Sequence, residues 1–202
     1  MVNVRIYVEG GGASKALLTS CRRGFRTFFE KTSLKGRMPK IIACGSRNDA
    51  FSDFVTALKS PETSDFILLL VDSEGPFLND TNVLSYLSDR DGWGLPKSAT
   101  KDNVHLMVQC METWFLADKA ALENYFGQGF LTNSLPKNTN IEAIPKKDVL
   151  DKLEHASRKS RKGEYGKGSH SFDLLECINP QYVFDFSSNA KNLHAILDEK
   201  CT

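Results

Sequence analysis

The 202-residue sequence has little that would carry it into a membrane. Its longest uninterrupted apolar run, Phe66 to Val71, is far short of the roughly 20 residues that span a bilayer. The amino-terminal MVNVRIYVEG has no basic segment followed by a long apolar one. A cytoplasmic protein with no membrane partner is therefore expected. An excess of one charge is also missing: 26 Lys and Arg face 25 Asp and Glu, for a formal net charge of +1. This excludes a chain-wide nucleic-acid footprint, and any electrostatic partner must be read from local clusters. Cys21, Cys44, Cys110, Cys177 and Cys201 are odd in number and contain no C-x-x-C pair. That argues against a disulfide framework or a zinc site, and for mostly buried thiols in a reducing compartment. Gly10, Gly11 and Gly12 lack the third glycine of G-x-G-x-x-G, and no G-x-x-x-x-G-K-[ST] occurs, so neither a dinucleotide fold nor a P-loop is supported.

What is present is the composition of an ordinary globular chain, 41% hydrophobic and 25% charged, long enough for one sizeable core. Val2 to Val8 alternates as a strand does, and Ser14 to Lys31 carries Leu17, Leu18, Cys21, Phe25, Phe28 and Phe29 at helical spacing. Lys40 to Cys44 reads as a strand. A helix capped by Asn48, striped by Phe51, Phe54, Val55 and Leu58 and ended by Pro61 follows it. Phe66 to Val71 has the continuous apolarity of a central strand covered on both faces. An irregular loop then leads through Asp91, Gly92, Trp93, Gly94 and Pro96 to a strand over Val104 to Met111 and a helix over Glu112 to Phe126. This alternation predicts an α/β fold, Rossmann-like, with a mostly parallel sheet and helices on both faces. Residues 1–126 form that core. Residues 127–202, with helices expected over Lys147 to Lys159 and Asn189 to Lys200, form an α-rich C-terminal extension packing on it as one structural unit.

In such a sheet, functional groups gather beyond the carboxyl ends of the strands. Glu9 ends the first strand, Asp72 and Glu74 the third, and Glu112 the fourth. If the third strand stays extended, Asp72 and Glu74 point the same way. Carboxylates so close repel one another unless a proton or a metal intervenes, and oxygen ligands suit Mg²⁺ or Mn²⁺. Each acid alone also fits a turn or helix cap. Four at one rim point to a divalent-metal phosphotransfer or phosphodiester site. A phospho-receiver domain has an acidic pair after its first strand, and here there is Glu9 alone. The glycines after Glu9 suit close approach of a phosphate, which the glutamate would repel. A shared cation reconciles the two.

These residues resemble a known family. VEGGG at the end of strand one followed by VDSE after strand three is similar to the Toprim domain of topoisomerases, primases and OLD-type nucleases. CMETWFLAD, Cys110 to Asp118, resembles the E-x-W motif of the RloB and OLD-like branch. The whole chain resembles an uncharacterised bacterial family of small stand-alone Toprim-like proteins considered with phage defence. The resemblance implies that Glu9 is a general acid/base or a metal ligand, that Asp72 and Glu74 are metal ligands, and that Glu112 is a further one. Glu74 stands where the commoner motif has a second Asp, which lengthens one ligand arm. The resemblance also implies a lysine near the metals that stabilises developing negative charge. Lys167, between glycines in EYGKG, is the first candidate and Lys146 the second.

Ser157 to His170 is the one stretch whose charge suits a nucleic-acid backbone, with Arg158, Lys159, Arg161 and Lys162 as candidate contacts; a solvated helix end is the plainer reading. Arg47 lies at the carboxylate rim, able to bind phosphate or to pair with Asp49 or Asp72. Trp114, Phe115 and His105 read as core, His155 and His194 as helix surface, and Trp93 as an exposed aromatic or a turn filler. His170 lies beside the basic stretch, in reach of a phosphate. The expected function is divalent-metal-dependent cleavage of DNA or RNA. By resemblance the protein is a phage-defence effector released by an ATPase partner, and a homo-oligomer is left open. The alternatives are a non-enzymatic metal-binding module that docks on an ATPase, and an enzyme acting on a small phosphorylated molecule.

Overall fold

The structure, a computed structural model, describes residues 3–59, 65–78 and 80–202. β1 (Asn3–Gly11), β2 (Lys40–Gly45), β3 (Asp65–Asp72) and β4 (Val104–Met107) form a parallel sheet in the order β2-β1-β3-β4. The two-residue period of a strand divides the apolar side chains between its faces. Val4, Ile6 and Val8 of β1, with Leu68 and Leu70 of β3, enter one core; Tyr7, Ile67, Leu69 and Val71 enter the other.

Because β2 and β3 lie on opposite sides of β1, right-handed crossovers send the two connecting helices to opposite faces. α1 (Lys15–Glu30) brings Phe25, Phe28 and Phe29 to the first face, and α2 (Arg47–Lys59) brings Ala50 and Phe54 to the second. The connections therefore part between the carboxyl ends of β1 and β3, and that parting is where an open α/β sheet forms its crevice.

α3 (Val83–Asp91) also covers the second face, through Leu87. The sequence predicts an irregular loop here, and the helix departs from that: Asn82 caps its start and Gly92, in the left-handed conformation, ends it. The fourth strand is shorter than expected and stops at Met107. The expected helix over Glu112 to Phe126 is divided into a 3-10 stretch, Met111–Ala117, and α4 (Lys119–Phe126). Asp118 makes the division, since its carboxylate accepts the N–H of Ala121 as a helix cap and the N–H of Asn179 from a later loop. The cap of α2 is Ser46 rather than Asn48: its Oγ accepts the Asp49 N–H at 3.1 Å while the Asp49 carboxylate accepts the Ser46 N–H at 3.3 Å. Pro61, expected to end α2, lies outside the described residues.

The remaining chain supplies α5 (Lys146–Ser157), α6 (Lys167–Cys177), α7 (Pro180–Phe186) and α8 (Ser188–Lys200). α6 and α7 have no counterpart in the sequence reading. These helices extend the first core into a large cluster in which Trp114 stacks on Phe28 with ring centroids 5.3 Å apart. α6 packs against α1 where a side chain would not fit: a Cβ on Gly24 would lie 2.9 Å from the Phe172 carbonyl oxygen. This close seat brings the start of α6, and Lys167 with it, to the end of β1. Among the described residues no helix is long and apolar enough to cross a membrane.

Candidate functional site

Glu9 near the end of β1, Asp72 at the end of β3 and Glu74 beyond it each offer an oxygen, and these three atoms lie within 4.8 Å of one another. Asp72 continues the series Leu68, Leu70 and so faces the core that the C-terminal helices cover. Its Oδ1 accepts the Met111 N–H at 2.8 Å, and its own N–H donates to Glu9 Oε2 at 3.2 Å.

Glu74 arrives by a different route from the one its spacing predicts. The strand stops at Asp72, and Glu74 adopts a left-handed backbone with φ 63°. Such a conformation is strained for a side chain other than glycine and persists when its surroundings hold it. Here the Ser73 N–H donates to Met107 O at 3.0 Å, the Glu74 N–H to Gln109 O at 2.9 Å, and the Tyr86 hydroxyl to Ser73 O at 2.8 Å.

Glu112 is fully buried in the 3-10 stretch. The Tyr165 hydroxyl donates to its Oε1 at 2.9 Å and lies 2.9 Å from Ser171 Oγ. Its Oε2 is buried with no hydrogen-bond partner, 3.6 Å from Lys167 Nζ. Glu112 lies outside the close triad and borders it through Lys167, whose Nζ is also 3.6 Å from Asp72 Oδ2.

Three cations face the four acids. Besides Lys167, Lys146 Nζ lies 2.5 Å from Glu74 Oε1 and 3.4 Å from Asp72 Oδ2, and Arg47 Nη1 lies 3.6 Å from Glu9 Oε2. Burial is the largest influence on Asp72 and pushes its pKa up; Glu9 and Glu112 push the same way, while Lys167 and Lys146 oppose them. For Lys167, burial acts to lower the pKa, and Glu112 and Asp72 outweigh it and raise it above the usual lysine value. Lys146 follows the same pattern, with Asp72 and Glu74 prevailing over burial.

The cleft beside these groups has a volume of about 300 Å³. Its polar wall includes Glu9, Asp72, Glu112 and Lys167, and its apolar wall Leu17, Met107, Met111 and Phe172. The donor set is of the kind that suits Mg²⁺ or Mn²⁺: oxygen ligands close together, with more negative charge than the local cations meet through hydrogen bonds. Glu9, Asp72 and Glu74 would hold such an ion.

The glycines divide by role. Gly10 and Gly11 make room for packing, since a Cβ on Gly10 would lie 3.1 Å from the Phe172 ring and one on Gly11 would lie 2.8 Å from Leu18 N. A Cβ on Gly12 would meet nothing within 4 Å, and all three glycines line the cleft. Arg47 stands at the rim as expected, with its guanidinium engaged by Asp91 at 2.7 and 3.3 Å, by the Asp72 carbonyl, and by the face of Trp93 at 4.8 Å. Its partners are thus Asp91, Glu9 and the Asp72 backbone rather than Asp49. Trp93 is buried and stacks on Phe51 at 4.2 Å.

Of the Lys and Arg side chains of the basic stretch, Lys167 alone is among the described residues lining the cleft. Arg158 pairs with Glu164 at 2.8 Å, Lys162 lies over the Tyr125 ring at 3.8 Å, and Lys159 and Arg161 border Gly129 and Gly127. His170 Nδ1 accepts the Gly166 N–H at 3.1 Å and its ring packs among Tyr125, Phe126 and Tyr165. His105 and Trp114 are buried as expected, as are Cys21, Cys110 and Cys201. Residues that the sequence reading did not single out are Tyr165, which holds Glu112, and Gln109, whose Oε1 accepts the Lys146 N–H at 3.1 Å. Nothing local in the sequence marks either.

Comparison with curated proteins and with solved structures gives no match. Residues 8–198 match the family described as Domain of unknown function (DUF4276), a span that takes in every rim residue from Glu9 to Lys167. The chain belongs to that family.

Proposed function

We propose that the chain is a divalent-metal-dependent nuclease, hydrolysing phosphodiester bonds of DNA or RNA. The observation that carries this reading is the triad of Glu9, Asp72 and Glu74, whose oxygens converge within 4.8 Å at the sheet's crevice. A bound Mg²⁺ or Mn²⁺ supplies Lewis acidity and an activated water. Glu9, Asp72 and Glu74 would hold the ion, with general acid/base as the other role open to Glu9. Lys167 turns its ammonium toward the same cleft, where it offsets charge on a phosphoryl oxygen. Glu112, fixed by Tyr165, orients that ammonium. Gly12 leaves room beside the triad for a phosphate. The resemblance of VEGGG, VDSE and METW to Toprim and OLD-like motifs supports the same chemistry. It extends the proposal to a cytoplasmic phage-defence effector with an ATPase partner.

One observation favours a second reading. Lys146, Lys167 and Arg47 already give the acids cationic neighbours, so the cluster can stand as an ion-pair network in a non-enzymatic module that docks on a partner. Incubation with plasmid DNA, total tRNA and a mononucleotide, in Mg²⁺, Mn²⁺ or EDTA, separates the readings when run beside Asp72→Asn. Metal-dependent backbone cleavage lost in the variant supports the nuclease. Turnover of the mononucleotide alone moves the assignment to a small phosphorylated substrate. No turnover of any kind leaves the docking module.

A further inference from the structure

Lys146 sits on carboxylates that a metal would use. Its Nζ touches Glu74 Oε1 and Asp72 Oδ2, two of the three converging carboxylates. Its backbone is pinned as the first residue of α5, with its N–H accepted by Gln109, while the side chain reaches the acids through a flexible four-carbon stem. Lys167 shares Asp72 Oδ2 at 3.6 Å but differs in its second carboxylate, Glu112 in place of Glu74, so Lys146 alone of the two bridges a pair of triad acids. An ammonium and a divalent ion cannot share the same lone pairs, because metal–oxygen contacts near ~2.1 Å would bring the two positive charges within strong repulsion.

We infer that Lys146 is an exchangeable internal counter-ion. It neutralises Asp72 and Glu74 until a divalent cation takes those oxygens, and its release leaves the ammonium free for an anionic oxygen of the substrate. This rests on the metal reading above and adds a regulation of the same site: metal entry is opposed by the protein's own cation and rewarded when an anion receives it. By linkage, an anionic substrate then strengthens metal binding as much as metal strengthens substrate binding.

The test is Mn²⁺ titration of the full chain without substrate, followed by electron paramagnetic resonance of free Mn²⁺, on wild type, Lys146→Met and Lys147→Gln. Lys147 is the adjacent control, its side chain 81% exposed and paired with Asp151. Lys146→Met is expected to bind Mn²⁺ about tenfold more tightly, the scale of one lost charge-assisted contact. Lys147→Gln is expected to match wild type. A second readout needs no variant: amine labelling of Lys146, read by mass spectrometry, is expected to rise when wild type is loaded with Mn²⁺. Unchanged or weaker Mn²⁺ binding by a folded Lys146→Met, or labelling that does not rise in metal-loaded wild type, overturns the exchange and leaves the metal site standing. Absence of Mn²⁺ binding in wild type and variant alike overturns the metal reading itself.

Discussion

β3 carries a buried aspartate at each end, Asp65 with its side chain 1% exposed and Asp72 with its side chain 4% exposed. Asp65 meets Arg5 at 2.5 Å and the Asn3 amide at 2.8 Å, both from β1, whose register sets Asn3 directly opposite it. Asp72 meets other carboxylates, with two ammonium groups at 3.4 and 3.6 Å. One end of the strand places a charge beside its partner, so that losing Arg5 would leave the Asp65 carboxylate buried without that cation. The other end holds like charges together and is relieved by cations, an arrangement that folding alone would not favour.

The largest expected effect falls on activity. In the proposed nuclease, Asp72→Asn would remove a ligand and should lower metal-dependent cleavage about 1000-fold, the scale of removing a preorganised electrostatic stabiliser. Because it also removes a repelled charge, its melting temperature in EDTA should equal or exceed that of wild type. Calorimetry showing a clear loss of stability in Asp72→Asn would put the two ends of β3 in the same class.

Titration sharpens the contrast. The raised pKa of Asp72 means that the folded state keeps its proton to higher pH than the unfolded chain does. Metal-free stability from this group is full below the ordinary aspartate value near ~3.9 and is lost as pH rises through the raised folded value. His105 acts in the opposite sense. Burial lowers its pKa from 6.5 to about 4, so its contribution is full above 6.5 and is lost as pH falls toward 4. At ~1.36 kcal/mol per unit that is about 3 kcal/mol. Urea unfolding in EDTA across this range should show stability rising with pH in Asp72→Asn and falling with pH in His105→Leu. Saturating Mg²⁺ should remove the Asp72 contribution from wild type.

At the other end of the strand the effect is purely structural. Asp65→Asn should cost about 2 kcal/mol, the scale of a hydrogen-bonded charge contact, and leave cleavage per folded molecule unchanged. Urea midpoints combined with turnover normalised to folded protein measure both quantities.

How much of this was legible follows from how far each signal travels along the chain. Glu9 and Asp72 could be read because each lies at the end of a strand whose alternation or apolarity is local. Three acids of the rim meet through the strand order, which the parallel α/β pattern anticipates. Lys146 reaches Asp72 from 74 residues away, and no local pattern encodes that contact. Arg47, just past the end of β2, reads in the sequence as a phosphate contact or a partner of Asp49 or Asp72; its main partner, Asp91, sits on α3, where the sequence predicts only an irregular loop. The basic run was prominent in the sequence because its charges are contiguous. In the fold Arg158 is satisfied beside Glu164, and the cleft is built from residues scattered between Glu9 and Phe172.

Glu74 gives the smallest and most discriminating effect on stability. Its spacing from Asp72 suggested an extended strand with both side chains on one face, yet the two meet because φ at Glu74 is 63°. Replacing it by glycine relieves roughly 1–2 kcal/mol of left-handed strain and returns roughly 0.5–1 kcal/mol through the entropy of glycine. The net change in metal-free stability should therefore stay within about 1 kcal/mol, while Mn²⁺ affinity should fall about tenfold with the lost carboxylate. Glu74→Asn, which tolerates the left-handed turn better than most side chains, should fall between the two. A loss well beyond about 1 kcal/mol in Glu74→Gly would mean that the contact with Lys146 holds the fold together. The carboxyl end of β3 would then be a structural ion pair like its amino end, and the strained backbone would need a cause other than the gathering of ligands.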